Sequence, residues 1–295
     1  RHDDFTFTAD CDLLLVATQS NETGNGSVNI VLDEDNLIIG IGTKGIDLAG
    51  TGTVTLTTMH VSGKTITTNK DIKTASGTVT LNASSTVGQN ADIVVSSGLS
   101  NVSVAAGGAI TMGAGKKTQT SGGNIIYSAG TSLDLRQIIT ESGNLQLTAN
   151  GGNASLNGAL SSGTGNIEIS ASGAIAQAAA VSAGGAGTVT ATANGGSITM
   201  ADLTTTTTAT GVIAYSSTSD VSLSVLTSTS GAINVTAGSG ASVSGAIRDI
   251  TALEAANLAT TGTAALTAET GIGGSGAADL DTTIGTLTAT NNISG

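Results

Sequence analysis

The sequence predicts an all-β fold, a three-faced parallel β-helix (a β-solenoid) with about 20–25 residues per coil. The first observation behind this is a recurring phrase of Gly, a small residue, then apolar–polar–apolar. It stands as Gly77-Thr78-Val79-Thr80-Leu81, Gly123-Asn124-Ile125-Ile126-Tyr127, Gly143-Asn144-Leu145-Gln146-Leu147, Gly165-Asn166-Ile167-Glu168-Ile169, Gly187-Thr188-Val189-Thr190-Ala191 and Gly231-Ala232-Ile233-Asn234-Val235. From Gly123 through Gly143 and Gly165 to Gly187 it returns after 20, 22 and 22 residues. A fixed period near 20 marks a solenoid, in which each repeat packs only on its neighbours. The second observation is composition: 49 Thr, 42 Gly, no Pro, no Trp, and only Phe5, Phe7, Tyr127 and Tyr215 as aromatics among 295 residues. Thr, Val and Ile suit a pleated strand. The chain is 10% charged but 39% hydrophobic in an alternating pattern, which argues for order rather than disorder.

The third observation is a three-beat period. After Gly165 come Asn166-Ile167-Glu168-Ile169-Ser170, then Gly173-Ala174-Ile175-Ala176-Gln177, then Ala180-Val181-Ser182-Ala183. The next period repeats this as Thr188 to Ala191, Gly196 to Met200 and Leu203 to Thr206. Gly and Asn at the breaks are expected to supply left-handed backbone at corners. About 250 residues at roughly 22 per turn predict on the order of 11 coils. Spacing drifts between Gly231 and Gly262, which predicts an irregular coil or protruding loop there. A sandwich of antiparallel hairpins is the rival, but Asn-Gly and Asp-Gly signals are sparse and a sandwich has no reason for the period. Val, Ile, Leu and Ala at inward positions predict a narrow aliphatic core with no place for large rings.

Residues 1–48 read differently, as an N-terminal cap or docking segment, and residues 49–295 as the β-helix repeats. The runs Phe5 to Ala9, Leu13 to Val16, Val28 to Leu32 and Leu37 to Ile41 are more hydrophobic and more charged than the repeats, and terminal repeats of solenoids are commonly atypical. Phe5, Phe7, Leu13, Leu14, Leu15 and Val16 are the candidate self-assembly contact, meeting the last coil of a preceding subunit. Leu287 to Gly295 stop in mid-pattern, and an open coil exposes unpaired backbone groups. Head-to-tail contact of that kind does not close and would propagate into a filament.

Repeats of the form Gly-Asn-Ile-x-Leu-x-Ala followed by Gly-x-Ile-x-x, over residues 50–290, resemble those of filamentous-haemagglutinin-type adhesins and related giant bacterial surface proteins. The resemblance implies a right-handed coil, in line with the general preference for right-handed crossovers. It also implies export and a secreted or cell-surface, bacterial location. The amino-terminal secretion domain of that family carries Asn-Pro motifs; this sequence has no proline and is expected to lack that domain.

Chemistry is expected to be thin. The net charge of −12 argues against nucleic acid and anionic membrane as partners. No apolar run is long enough to span a bilayer. Cys11 is the single cysteine, so no intrachain disulfide is possible. Because β-helices also serve as polysaccharide lyases and hydrolases, Asp134, Glu141 and Glu168, with Arg136 beside them, are the best acid cluster if their coils stack. Scarce acids and aromatics favour a solvated face instead. Asp33-Glu34-Asp35 could bind calcium through oxygen, but the spacing of a calcium loop is missing, and no cofactor is expected. Threonine tracts such as Thr204 to Thr208 suggest an ice-binding face, yet the outward residues vary and β-propensity accounts for them. Seven Asn-x-Ser/Thr sequons occur, at Asn21, Asn25, Asn82, Asn101, Asn153, Asn234 and Asn292. Asn124, Asn144 and Asn166 hold one place in successive repeats and are expected to form an amide ladder. The expectation is a non-enzymatic structural protein: a secreted filament or matrix fibre built by self-association, with a host or matrix polysaccharide as a further candidate partner. The alternatives are a stalk fragment of a long adhesin or surface-layer protein and, behind it, a carbohydrate-active enzyme.

Overall fold

Alternating apolar and small polar residues form short strands, and the strands stack in parallel. The computed structural model describes residues 5–9, 13–15, 18–20, 25–40, 45–59, 63–240, 244–252, 256–274 and 279–292. Every regular element among them is a strand. The chain divides into two units, Arg1–Leu147 and Thr148–Gly295, each a parallel β-solenoid.

In the first unit each coil has a five-residue strand followed by two shorter ones, as in Val79–Ala83, Val87–Gln89 and Ile93–Val95. The five-residue strands pair in register coil upon coil. Val28 lies beside Val54, Val54 beside Val79, Val79 beside Val102 and Val102 beside Ile125. The strands within residues 1–48 belong to the same ladders: Phe5 pairs with Val28, Leu13 with Leu37 and Thr18 with Ile46. The different composition of that segment therefore sits on rungs of the same stack.

In the second unit the ladder runs from Ile167 to Val189, Ile213, Ile233, Ala264 and Leu287. The longest step, Ile233 to Ala264, falls where the sequence spacing drifts. There the third strand of one coil and the first of the next fuse into one strand, Leu258–Ala268. A register shift between Thr260 and Thr263 marks the place of the lost corner.

Inward positions give each unit its core. Val79, Leu81, Val87, Ile93 and Val95 are buried in one coil, and Ile167, Ile169, Ile175 and Val181 in another. Each buried aliphatic side chain contributes about 1.5–3 kcal/mol, and coils gain stability mainly from stacking on neighbours. Two rings break the expected aliphatic core. Tyr127 and Tyr215 are fully buried, at inward positions of five-residue strands. The expectation that no large ring fits is corrected here. Small or aliphatic neighbours flank them, Val104 beside Tyr127 and Ala191 beside Tyr215, and each phenol has polar partners inside the core.

The corners meet a second expectation only in part: Gly98, Gly115 and Gly185 are left-handed, with φ 77°, 71° and 56°. Gly77, Gly123, Gly143, Gly187 and Gly231 open the repeated phrase but do not have left-handed φ. A Cβ on Gly123 would lie 1.9 Å from the carbonyl oxygen of Ser100, and one on Gly143 2.1 Å from that of Gly123. These glycines are demanded by the close approach of the coil beneath.

Candidate functional site

The residues singled out as a self-association contact lie on the first described coil. Phe5 and Phe7 take the register of Val28 and Ile30, which point into the core one coil on. Leu13, Leu14 and Leu15 form a strand beside Leu37, Ile38 and Ile39. The side chains of Phe5 and of Leu13 to Leu15, and Val16 and Cys11 altogether, lie outside the described residues.

In the second unit, the strand Thr282–Asn291 pairs with Leu258–Ala268. Leu287 and Ala289 occupy the register of Ala264 and Leu266, which are buried. Yet Leu287 is 48% exposed, Ala289 is exposed, and Ile284 and Ile272 are half-buried. Among the described residues nothing stacks on this rung, so it presents inward-pointing apolar side chains to solvent. Its strand presents a row of backbone donors and acceptors beside them.

The Asn positions form a ladder in which the donor is backbone. The Asn124 N–H donates to Oδ1 of Asn101 at 2.8 Å, and the Asn144 N–H to Oδ1 of Asn124 at 2.8 Å. In the second unit the Thr188 N–H donates to Oδ1 of Asn166 at 3.0 Å. Other corners do the same: Thr65 to Asn36 at 2.8 Å, Lys117 to Asp92 at 3.1 Å, and Ala174 to Asn153 at 2.9 Å. A corner N–H needs an acceptor, and an Asn or Asp one coil below supplies it.

The acid residues face outward: Asp134 is half-buried, and Glu141 and Glu168 are exposed. Arg136 pairs with Asp134 two residues away on the outer surface. Glu141 accepts a hydrogen bond from Ser121 Oγ at 3.4 Å, and Glu168 is outward on the strand Ile167–Ala171 of the second unit. Asp33, Glu34 and Asp35 occupy the bend between the strands Val28–Leu32 and Leu37–Ile39. Among the described residues no three His, Cys, Asp or Glu side chains converge well enough to hold a metal ion. Asp71 and Lys73 pair at 2.9 Å. Partial burial acts to raise the Asp71 carboxyl, but the hydrogen bond and charge of Lys73 and the Asp92 N–H outweigh it and hold it below its ordinary value. The same hydrogen bond raises Lys73. Both side chains are more than a third exposed, so the pair is worth at most about 1 kcal/mol.

Sequence reasoning missed a pair of buried polar clusters. In the first unit Gln89 Nε2 donates to Thr118 Oγ1 at 3.0 Å, Thr118 Oγ1 and Tyr127 OH are 2.6 Å apart, and Tyr127 OH donates to Gln89 Oε1 at 2.5 Å. The three groups close a ring, and Gln89 Nε2 also reaches the carbonyls of Ala91 and Lys117 at 3.1 and 3.2 Å. In the second unit Gln177, Thr206 and Tyr215 repeat it, at 3.0, 2.6 and 2.6 Å, with Ala179 and Thr205 as the carbonyls. Burial pushes both phenols far above their ordinary pKa against the pull of these hydrogen bonds, so each stays a neutral donor. The available signal was the rarity of tyrosine together with its place: both occupy the second apolar slot of the repeated phrase or its equivalent.

No family model matches the chain, and no curated protein or solved structure matches it either. Among the described residues no helix is long and apolar enough to cross a membrane.

Proposed function

We propose that this chain is a non-enzymatic structural β-solenoid of an extracellular or cell-surface filament or matrix fibre, in which subunits stack head to tail. One observation carries the reading: within each unit the strands stack in parallel and in register, so a rung such as Thr282–Asn291, with Leu287 and Ala289 at core positions, has the geometry to take a further coil by the same pairing. The natural cover for such a rung is another coil, which supplies both hydrogen bonds and apolar contact. Phe7, at core register on the first described strand, gives a second copy a large ring to set against the small Ala289. Outward side chains of the coils are mostly Thr, Ser, Ala and Asn, a neutral surface suited to a fibre, with a host or matrix polysaccharide as the partner outside the stack. The resemblance to filamentous-haemagglutinin-type adhesins supports a secreted, bacterial origin.

Electron micrographs and sedimentation of the purified chain at high concentration test this. Filaments are expected, and both Leu287→Asp and deletion of residues 1–20 should abolish them. A monomer at every concentration, or filaments untouched by both changes, removes the head-to-tail reading. The second reading, a stretch of a long adhesin stalk or surface-layer protein, is favoured by the same rung, since the next coil of one polypeptide would also cover it. The mass of the native polypeptide separates the two: a value near 28.3 kDa supports a subunit, and a far larger one the stalk.

A further inference from the structure

The two buried clusters share more than chemistry. Gln89 and Gln177, Thr118 and Thr206, and Tyr127 and Tyr215 are each 88 residues apart. So are Ile110-Thr111-Met112 and Ile198-Thr199-Met200, and in both places the Met sits one coil beyond the Gln, on the same inward rank. Thr120 Oγ1 donates to the Gly123 carbonyl at 2.6 Å, and Thr208 Oγ1 to that of Gly211 at 2.7 Å. Gly143 N–H donates to Thr140 Oγ1 at 3.0 Å, and Gly231 N–H to Ser228 Oγ at 2.9 Å. Gly115, with φ 71°, is matched by Leu203, with φ 62°. Alignment at this offset runs through residues 77–149 and 165–237 and slips by one residue only across Val102–Ala106 and Val189–Ala193.

We infer that residues 77–149 and 165–237 are two copies of one block repeating every four coils, and that the Gln–Thr–Tyr cluster is the device that sets the register of its coils. The cluster draws on three successive coils: Gln89 from the coil of Val79–Ala83, Thr118 from that of Val102–Ala106, and Tyr127 from that of Ile125–Ala129. Elsewhere the inward ranks are mostly Val, Ile, Leu and Ala, with small hydroxyl residues such as Thr58, Thr68, Thr74 and Ser162 at strand ends, and one such strand stacks on another with little to choose between partners. A strand slipped by a whole coil keeps its apolar side inward, so alternation alone does not forbid the slip. It would, however, leave a buried Gln amide or phenol without its partner, which apolar surroundings make costly. A polar group fixing register at a single core position is an established use of such residues.

Two experiments on the full chain, in a Cys11→Ser background, test this. In the first, residues 195–228 replace residues 107–140, segments of equal length, bringing Thr206 and Tyr215 to Gln89. If the blocks are copies, the chimera folds and melts within a few degrees of the parent; an aggregated or molten chimera overturns the duplication. In the second, cysteine pairs report register by oxidative cross-linking. Thr80→Cys with Ser103→Cys reads the native neighbours, and Thr80→Cys with Ile126→Cys reads a slip of one coil. With the cluster intact only the first pair should close. With Gln89→Met, Thr118→Val and Tyr127→Phe together, the second pair should close as well, and its silence in a folded variant overturns the register role. Should the triple variant not fold, the single variants Gln89→Met and Tyr127→Phe and their double decide. The second change should add little to the melting shift of the first, and additive shifts overturn the proposal.

Discussion

Leu203 is the one non-glycine in the left-handed region among the described residues, with φ 62°, and its side chain is 66% exposed. That conformation costs an L-residue about 1–2 kcal/mol, and at the matching place in the other block Gly115 adopts it without steric cost. Leu203→Gly should therefore stabilise the protein by about 0.5–1 kcal/mol, the relief of strain less the greater unfolded freedom of glycine. Urea unfolding checks it, and a loss of stability would mean the leucine side chain holds a contact of its own. The tyrosines make the complementary point. A ring enters this narrow core because a Thr and a Gln one and two coils away satisfy its hydroxyl; without them the buried phenol would cost about 1–3 kcal/mol.

At the scale of an element, a coil is shaped by what the coil beneath it permits. Gly123 and Gly143, which open five-residue strands, each sit on a carbonyl oxygen, and the Asn124 beside Gly123 feeds an acceptor to the next corner. The two are not equal in energy. Asn124→Ala removes one acceptor and should cost about 1 kcal/mol. Gly143→Ala places a methyl 2.1 Å from the Gly123 oxygen and must separate two coils, so it should cost about 3 kcal/mol or more. Denaturant midpoints of the two variants give the order; equal effects would mean that the corner yields easily. Both residue types were legible in the sequence as a spacing. Their reasons were not, because the atom that excludes a Cβ belongs to another coil.

For the molecule as a whole, the buried phenols predict its response to alkali. Folding keeps Tyr127 and Tyr215 neutral, so their folded pKa lies above the unfolded value near 10. Their contribution is complete below about pH 10 and is lost as pH rises beyond it, at about 1.4 kcal/mol per pH unit for each ring, since only the unfolded chain releases the proton. Thermal midpoints should show no Tyr-dependent slope below pH 10 and a fall above it, and Tyr127→Phe should make that fall shallower. An equal slope in the variant would show that Tyr127 titrates freely in the folded chain. Lys73 adds a smaller loss in the same range, which the comparison with the Phe variant subtracts.

The sequence by itself determined the fold class and the periodicity of this protein. Alternation decides which side of a strand is buried, and a period near 22 leaves a parallel stack as the way to bury it. It also marked where a coil departs from the rest, between Gly231 and Gly262. Tertiary structure alone decided which residues of different coils meet. Gln89, Thr118 and Tyr127 are separated by 29 and 38 residues from first to second and first to third, distances with no periodic signature in a single strand. The same holds for the exposed rung at Leu287, whose residues carry the ordinary repeat pattern. Only the missing layer of contacts distinguishes it from a core strand, because burial in a stack is a property of neighbouring coils and not of the strand itself.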